Sequence, residues 1–86
     1  MITPEVKKTL KEYLKENYTD DVLKILDGKS IVNRNKQPYS PSMIKNVLNG
    51  HQANIEIEKA LTIVYNRRKK KFNKHQLKLQ QVLQKN

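Results

Sequence analysis

The feature that most constrains this chain is a short segment with both ends marked: Tyr39-Ser40-Pro41-Ser42-Met43-Ile44-Lys45-Asn46-Val47-Leu48-Asn49-Gly50. Ser40 can cap a helix by accepting a hydrogen bond from a backbone N–H that has no intrahelical partner. Pro41 suits the first helical position, where its missing N–H costs nothing. Gly50 accepts the left-handed conformation that ends a helix without a Cβ clash. Between these marks Ile44, Val47 and Leu48 share one face at i, i+3, i+4, with Met43 at its edge. The opposite face carries Ser42, Lys45, Asn46 and Asn49. A helix this short is not stable alone in water, so the rest of the chain must cover its apolar side.

Two earlier segments can supply that cover. Thr3-Pro4-Glu5 combines a capping hydroxyl, a first-turn proline and a carboxylate facing the helix dipole. Val6, Leu10, Tyr13 and Leu14 then predict an amphipathic helix over residues 4–17, with Asn17 at the end of the stripe. Thr19 is the expected cap of a second helix, with Asp20 and Asp21 in its first turn. Val22, Leu23, Ile25 and Leu26 are its apolar residues and Gly28 its expected stop. The tripeptide Gly28-Lys29-Ser30 is not a phosphate loop, since position 23 is Leu where a second Gly is needed and no strand precedes it. Residues 29–39 read as a loop or small hairpin with Arg34 and Lys36 near its tip, because Pro38 biases Gln37 away from helix. A plain connector and a phosphate-touching wing fit that stretch equally well.

After Gly50 a polar joint, His51-Gln52-Ala53-Asn54, leads into a further helix that Asn54 can cap. Ile57, Ala60, Leu61, Val64 and Tyr65 repeat at i, i+3, i+4, i+7, i+8, the most regular stripe in the chain. Arg67-Arg68-Lys69-Lys70-Lys71 follows, and five adjacent cations must encircle a helix, so some point to solvent. Phe72, His75, Leu79 and Val82 then fall at 3–4–3 spacing, with Gln76 and Leu83 beside them. This accommodates a helix packed on the core, a homodimer contact over 72–83, or a frayed end.

Charge narrows the function. The chain of 86 residues carries a formal net charge of +10 and no cysteine. Residues 1–30 are neutral, whereas residues 31–86 hold twelve Lys or Arg against Glu56 and Glu58, the whole of the +10. A neutral scaffold followed by a basic remainder points to a polyanionic partner. No run approaches the roughly 20 apolar residues of a membrane span, and no apolar leader follows Met1. The lack of cysteine fits a reducing, cytoplasmic setting. Nothing assembles a nucleophile with its base, and His51 and His75 lie far apart without neighbouring carboxylates. An enzyme is therefore not expected, nor a metal, a cofactor or a small-molecule substrate. Single-strand binding would want exposed aromatics, and the four Tyr and one Phe fall mostly at apolar helix positions.

Leu48-Asn49-Gly50, a polar joint and then Ile57-x-x-Ala60-Leu61-x-x-Val64 resemble the end of the recognition helix and the next helix of phage-repressor-like (lambda-repressor or Cro/C1-type) helix-turn-helix domains. Ile31-x-Asn33-Arg34-Asn35-x-x-Pro38-Tyr39-Ser40-x-Ser42-x-Ile44-x-x-Val47-Leu48 is similar to a segment in the DNA-binding part of large serine recombinases. The resemblance spans residues 19–66. It departs from the usual motif in one respect: eleven residues separate Gly28 from Ser40, where a three- or four-residue turn is the rule.

The resemblance implies base reading by Ser42, Lys45 and Asn46, with Ser40 near a phosphate or base. Lys45 suits guanine O6/N7, and Asn46 suits the paired contact to adenine N6/N7. It also implies a phosphate contact by Asn49 and further backbone contacts by His51, Gln52 and Asn54. Arg34, Lys36, Arg67 and Arg68 are the cations expected to add to the backbone contacts. Ser40 and Asn49 have competing readings as simple helix-end residues. The expected fold is all-α: a bundle of four to five short helices in lambda-repressor-like helix-turn-helix style. The DNA-binding domain would occupy residues 1–66, and a basic helical extension residues 67–86. The expected function is sequence-specific binding of double-stranded DNA by a small transcriptional regulator of phage or mobile-element type. The alternatives are an assembly module that dimerises through 72–83 and a recombination accessory factor that binds DNA.

Overall fold

The computed structural model describes residues 1–84, with side chains described through residue 76. The fold is all-α, with four helices and no strand among the described residues: α1 Pro4–Lys11, α2 Tyr18–Gly28, α3 Pro41–Leu48 and α4 Ile55–Gln84. No helix in this part of the chain is long and apolar enough to cross a membrane.

α1 starts as its sequence dictates: the Val6 N–H donates to Thr3 Oγ1 at 3.3 Å, and Pro4 occupies the first turn. It stops six residues sooner than the periodicity predicts. The N–H groups of Tyr13 and Leu14 both donate to the Leu10 carbonyl, at 3.2 and 3.0 Å, which tightens the chain into a turn. That turn sends Leu14 into the core, only 2% exposed, and swings Tyr13 over α4. Tertiary packing outweighs helix propensity here. Val6, expected on the apolar face, is 47% exposed, while Ile2 is buried ahead of the helix.

Thr19 does not cap α2. The cap position falls to Asn17, whose left-handed backbone (φ 58°) reverses the chain and whose side chain makes no capping bond. Asn is among the few non-Gly residues that tolerate this region. Gly28 is the last helical residue, but the left-handed turn beyond α2 belongs to Ser30 (φ 56°). There the Ile31 N–H donates to the Leu26 carbonyl (2.9 Å) and the Ser30 N–H to the Asp27 carbonyl (3.0 Å), a Schellman closure.

α3 ends by the same motif with the expected residue. The His51 N–H donates to the Asn46 carbonyl (2.9 Å), the Gly50 N–H to the Val47 carbonyl (3.1 Å), and Gly50 sits at φ 78°. Gly50 has a second reason to be glycine: a Cβ there would lie 2.7 Å from the carbonyl oxygen of Ile2.

α4 is the spine of the molecule. Ile57, Ala60, Leu61 and Val64 are buried in one stripe, and the helix packs on α2 most extensively, then on α3 and α1. No break occurs at the boundary expected after residue 66. Tyr13 instead pins the following turns, edge-on to Tyr65 at 5.4 Å and to Phe72 at 5.7 Å between ring centroids. The basic segment to residue 72 thus packs against the turn after α1 while continuing α4 as a helix. The homodimer contact expected over 72–83 falls largely outside the residues whose side chains are described.

Candidate nucleic-acid interface

α3 is built to be held on one side and offered on the other. Ile44, Val47 and Leu48 have no solvent exposure, and Met43 packs at the margin of the same core. Full burial of such side chains contributes about 1.5–3 kcal/mol each, the stabilisation an eight-residue helix lacks in isolation. The Met43 N–H donates to Ser40 Oγ at 3.2 Å, so Ser40 is occupied as the cap while remaining at the surface. Ser42, Lys45, Asn46 and Asn49, at i, i+3, i+4 and i+7, are all exposed along the outward face. The three residues expected to read bases are therefore side by side.

Residues 31–39 form a loop with a tight turn, not a hairpin of strands, and Asn33 organises it. Its Oδ1 accepts from the N–H groups of Asn35 (2.9 Å) and Gln37 (3.0 Å). Its own N–H donates to the Gln37 carbonyl (2.9 Å), and its carbonyl accepts from the Lys36 N–H (3.0 Å). Four hydrogen bonds within five residues hold Lys36 at φ 59° and leave Arg34, Asn35 and Lys36 exposed at the tip. Sequence reasoning marks Asn33-Arg34-Asn35-Lys36 as a turn-like patch with the two cations near its tip, but gives Asn33 no closing role; an Asn opening such a patch was the available signal.

The joint after α3 divides its expected residues. His51 and Gln52 are exposed. Asn54 is engaged in the fold: its Oδ1 accepts from the Ile57 N–H (3.1 Å), its Nδ2 donates to the Tyr39 hydroxyl (3.1 Å), and its N–H donates to Glu58 Oε2 (3.1 Å), which leaves one amide hydrogen for the expected backbone contact. It fixes the start of α4 and ties it to the entry of α3. The other Glu58 oxygen lies 3.3 Å from the Met1 amino nitrogen.

Arg67 and Arg68 also part company. Arg67 is exposed, whereas Arg68 turns inward, donating to the Tyr13 carbonyl at 3.0 Å and to Asp21 Oδ2 at 2.8 Å. Arg68 is a brace between α4, α2 and the turn after α1, so the expected backbone contact would have to displace these two bonds. Its spacing carried the signal: position 68 continues the Leu61–Val64 stripe at i+7 and i+4.

The electrostatics of this side are one-signed. Between Asp27 and Glu56 the chain has no carboxylate, and that interval contains the whole loop, α3 and the joint. A groove of about 530 Å³ runs between the loop tip, the entry of α3 and the joint. Of the five grooves described, it alone has no acidic residue in its lining; the others include Asp21, Glu58, Glu12 or Glu5. Among the described residues no three His, Cys, Asp or Glu side chains gather into a metal-binding group. Comparison of the chain with family models, with curated proteins and with solved structures finds no match.

Proposed function

We propose that this protein binds double-stranded DNA in a sequence-specific manner, with α3 lying in the major groove. The observation that carries the reading is the division of α3: one face wholly buried, the other a row of exposed Ser42, Lys45, Asn46 and Asn49 with no acid. An α-helix with its side chains is about 10–12 Å across, which a major groove about 12 Å wide admits. Lys45 donates to guanine O6/N7, Asn46 makes the paired contact to adenine, and Ser42 is adaptable. Asn49, Ser40, His51, Gln52, Arg34 and Lys36, on α3 or the segments flanking it, are phosphate-contacting candidates, and Arg67 on α4 is a further one. The role this suits is a small transcriptional regulator of the phage or mobile-element style that the residues resemble. The reading involves no catalytic step, cofactor or small-molecule substrate.

Selection of bound duplexes from a random DNA pool tests it. Against the selected sequence, Lys45→Ala and Asn46→Ala should each lose about 1–3 kcal/mol and relax preference at one position. Neutralising Arg67 and Lys69–Lys71 should weaken all sequences alike and flatten the salt dependence. Absence of duplex binding even at low salt would end the proposal. A second reading, assembly through α4, draws on Phe72, which is 48% exposed beside Tyr13. Sedimentation of the full chain at varied concentration would reveal it.

A further inference from the structure

Resting on the DNA reading, we infer that the Asn33–Gln37 turn enters the minor groove next to the major groove that takes α3, and that Arg34 there favours A·T pairs. Two protrusions, the turn and α3, flank one groove lined by Arg34, Asn35, Tyr39, Ser40, Gln52 and Asn54 among others. On a duplex, what separates a major from a minor groove is a single sugar-phosphate strand, so two protrusions with a polar channel between them straddle that strand. The channel suits it: it has no carboxylate to repel a phosphate, and its volume of about 530 Å³ is open at the surface.

The turn has the dimensions and stiffness the minor groove demands. That groove is only about 6 Å wide, so it admits a narrow tip, not a helix. Asn33 folds its side chain inside the turn to bond the N–H groups of Asn35 and Gln37, which leaves three residues at the apex. Arg34 and Lys36 are exposed, and neither side chain has a hydrogen-bond or ion-pair partner among the described residues, unlike Arg68, which is held by Tyr13 and Asp21. The locked turn spares the backbone an ordering cost on insertion, and the guanidinium has no intramolecular partner to give up. Narrow A·T-rich minor grooves concentrate negative potential and draw in arginine, while the guanine amino group of a G·C pair stands in the way.

Base analogues separate this from every major-groove effect. Diaminopurine·T keeps the major-groove edge of A·T but adds the minor-groove amino group, and inosine·C removes that group from a G·C pair. In a selected duplex, diaminopurine at the flanking A·T positions should weaken the full chain about tenfold, and inosine·C should leave binding intact. Arg34→Ala, an exposed substitution, should abolish this sensitivity while keeping the preference that Lys45 and Asn46 confer. Sequence-selective binding that ignores the minor-groove amino group, or an Arg34→Ala protein that stays equally sensitive to it, overturns this inference alone. Failure to bind any duplex at low salt overturns the DNA reading and this inference together.

Discussion

Replacing Gly50 with alanine tests how α3 is held. Two costs combine at this position. The backbone stands at φ 78°, where an L-residue with a Cβ costs about 1–2 kcal/mol. The added Cβ would also sit 2.7 Å from the Ile2 carbonyl oxygen, a backbone atom that can move only by displacing the buried Ile2 side chain. Partial loss of that side chain's burial adds about 1–2 kcal/mol, for a total of about 2–4 kcal/mol. A domain of this size has a total stability of about 4–13 kcal/mol, so the variant should lose a large part of it. Urea unfolding followed by far-UV circular dichroism measures the difference. Gly28→Ala is the internal control: nothing lies within 4 Å of its Cβ position and its φ is not left-handed, so it should be neutral or gain up to about 1 kcal/mol. Removing residues 1 and 2 from both the wild type and the Gly50→Ala variant isolates the clash. Without the Ile2 carbonyl, the cost of Gly50→Ala should fall by about 1 kcal/mol or more, toward the backbone component alone. A Gly50→Ala protein within about 0.5 kcal/mol of wild type would refute the account of both terms.

Ser30 offers the reverse change. It holds a left-handed φ of 56° at the surface, so Ser30→Gly should stabilise the fold by about 0.5 kcal/mol in the same urea assay. Adjacent arginines should separate by role. Arg68→Met should cost about 1–2 kcal/mol by removing two charge-assisted hydrogen bonds from a partly exposed site, while Arg67→Ala should leave stability within about 0.5 kcal/mol. Conversely, only Arg67→Ala should weaken binding to duplex DNA without first weakening the fold. Burial raises the Tyr18 phenol above its ordinary value of 10.0. The folded state thus holds that proton more tightly, and the associated stability is complete below pH of about 10 and falls as pH climbs through the raised value. Tyr18→Phe should flatten that part of the alkaline loss in a series of thermal melts.

The candidate site was legible where its physics is local. The cap at Ser40, the stop at Gly50 and the outward row Ser42, Lys45, Asn46, Asn49 all follow from bonds and periodicities that span three to seven residues. The cap of α4 at Asn54 follows in the same way. The Asn33 turn is equally local, but its two competing readings as connector or wing gave no reason to single out the side chain that closes it. Asn54 shows how a polar residue near a site can be engaged by structure: its amide oxygen, one amide N–H and its backbone N–H all serve the start of α4 and the Tyr39 hydroxyl.

The sequence by itself determined that the chain is helical, where α3 begins and ends, which face of it is apolar, and that the net positive charge lies beyond residue 30. Those properties depend on capping, glycine conformation, helical period and charge count, each set within a turn or two of chain. Only the tertiary structure decided that α1 stops at Lys11, that Ile2 is core and Val6 is not, and which partners Arg68 meets. Each of those rests on partners distant in sequence: Arg68 meets Tyr13 and Asp21 across 55 and 47 positions, and Gly50 meets Ile2. No local pattern encodes such meetings, because they exist only once α4 has packed against α1 and α2 and made the neighbours that the choice of side-chain direction depends on.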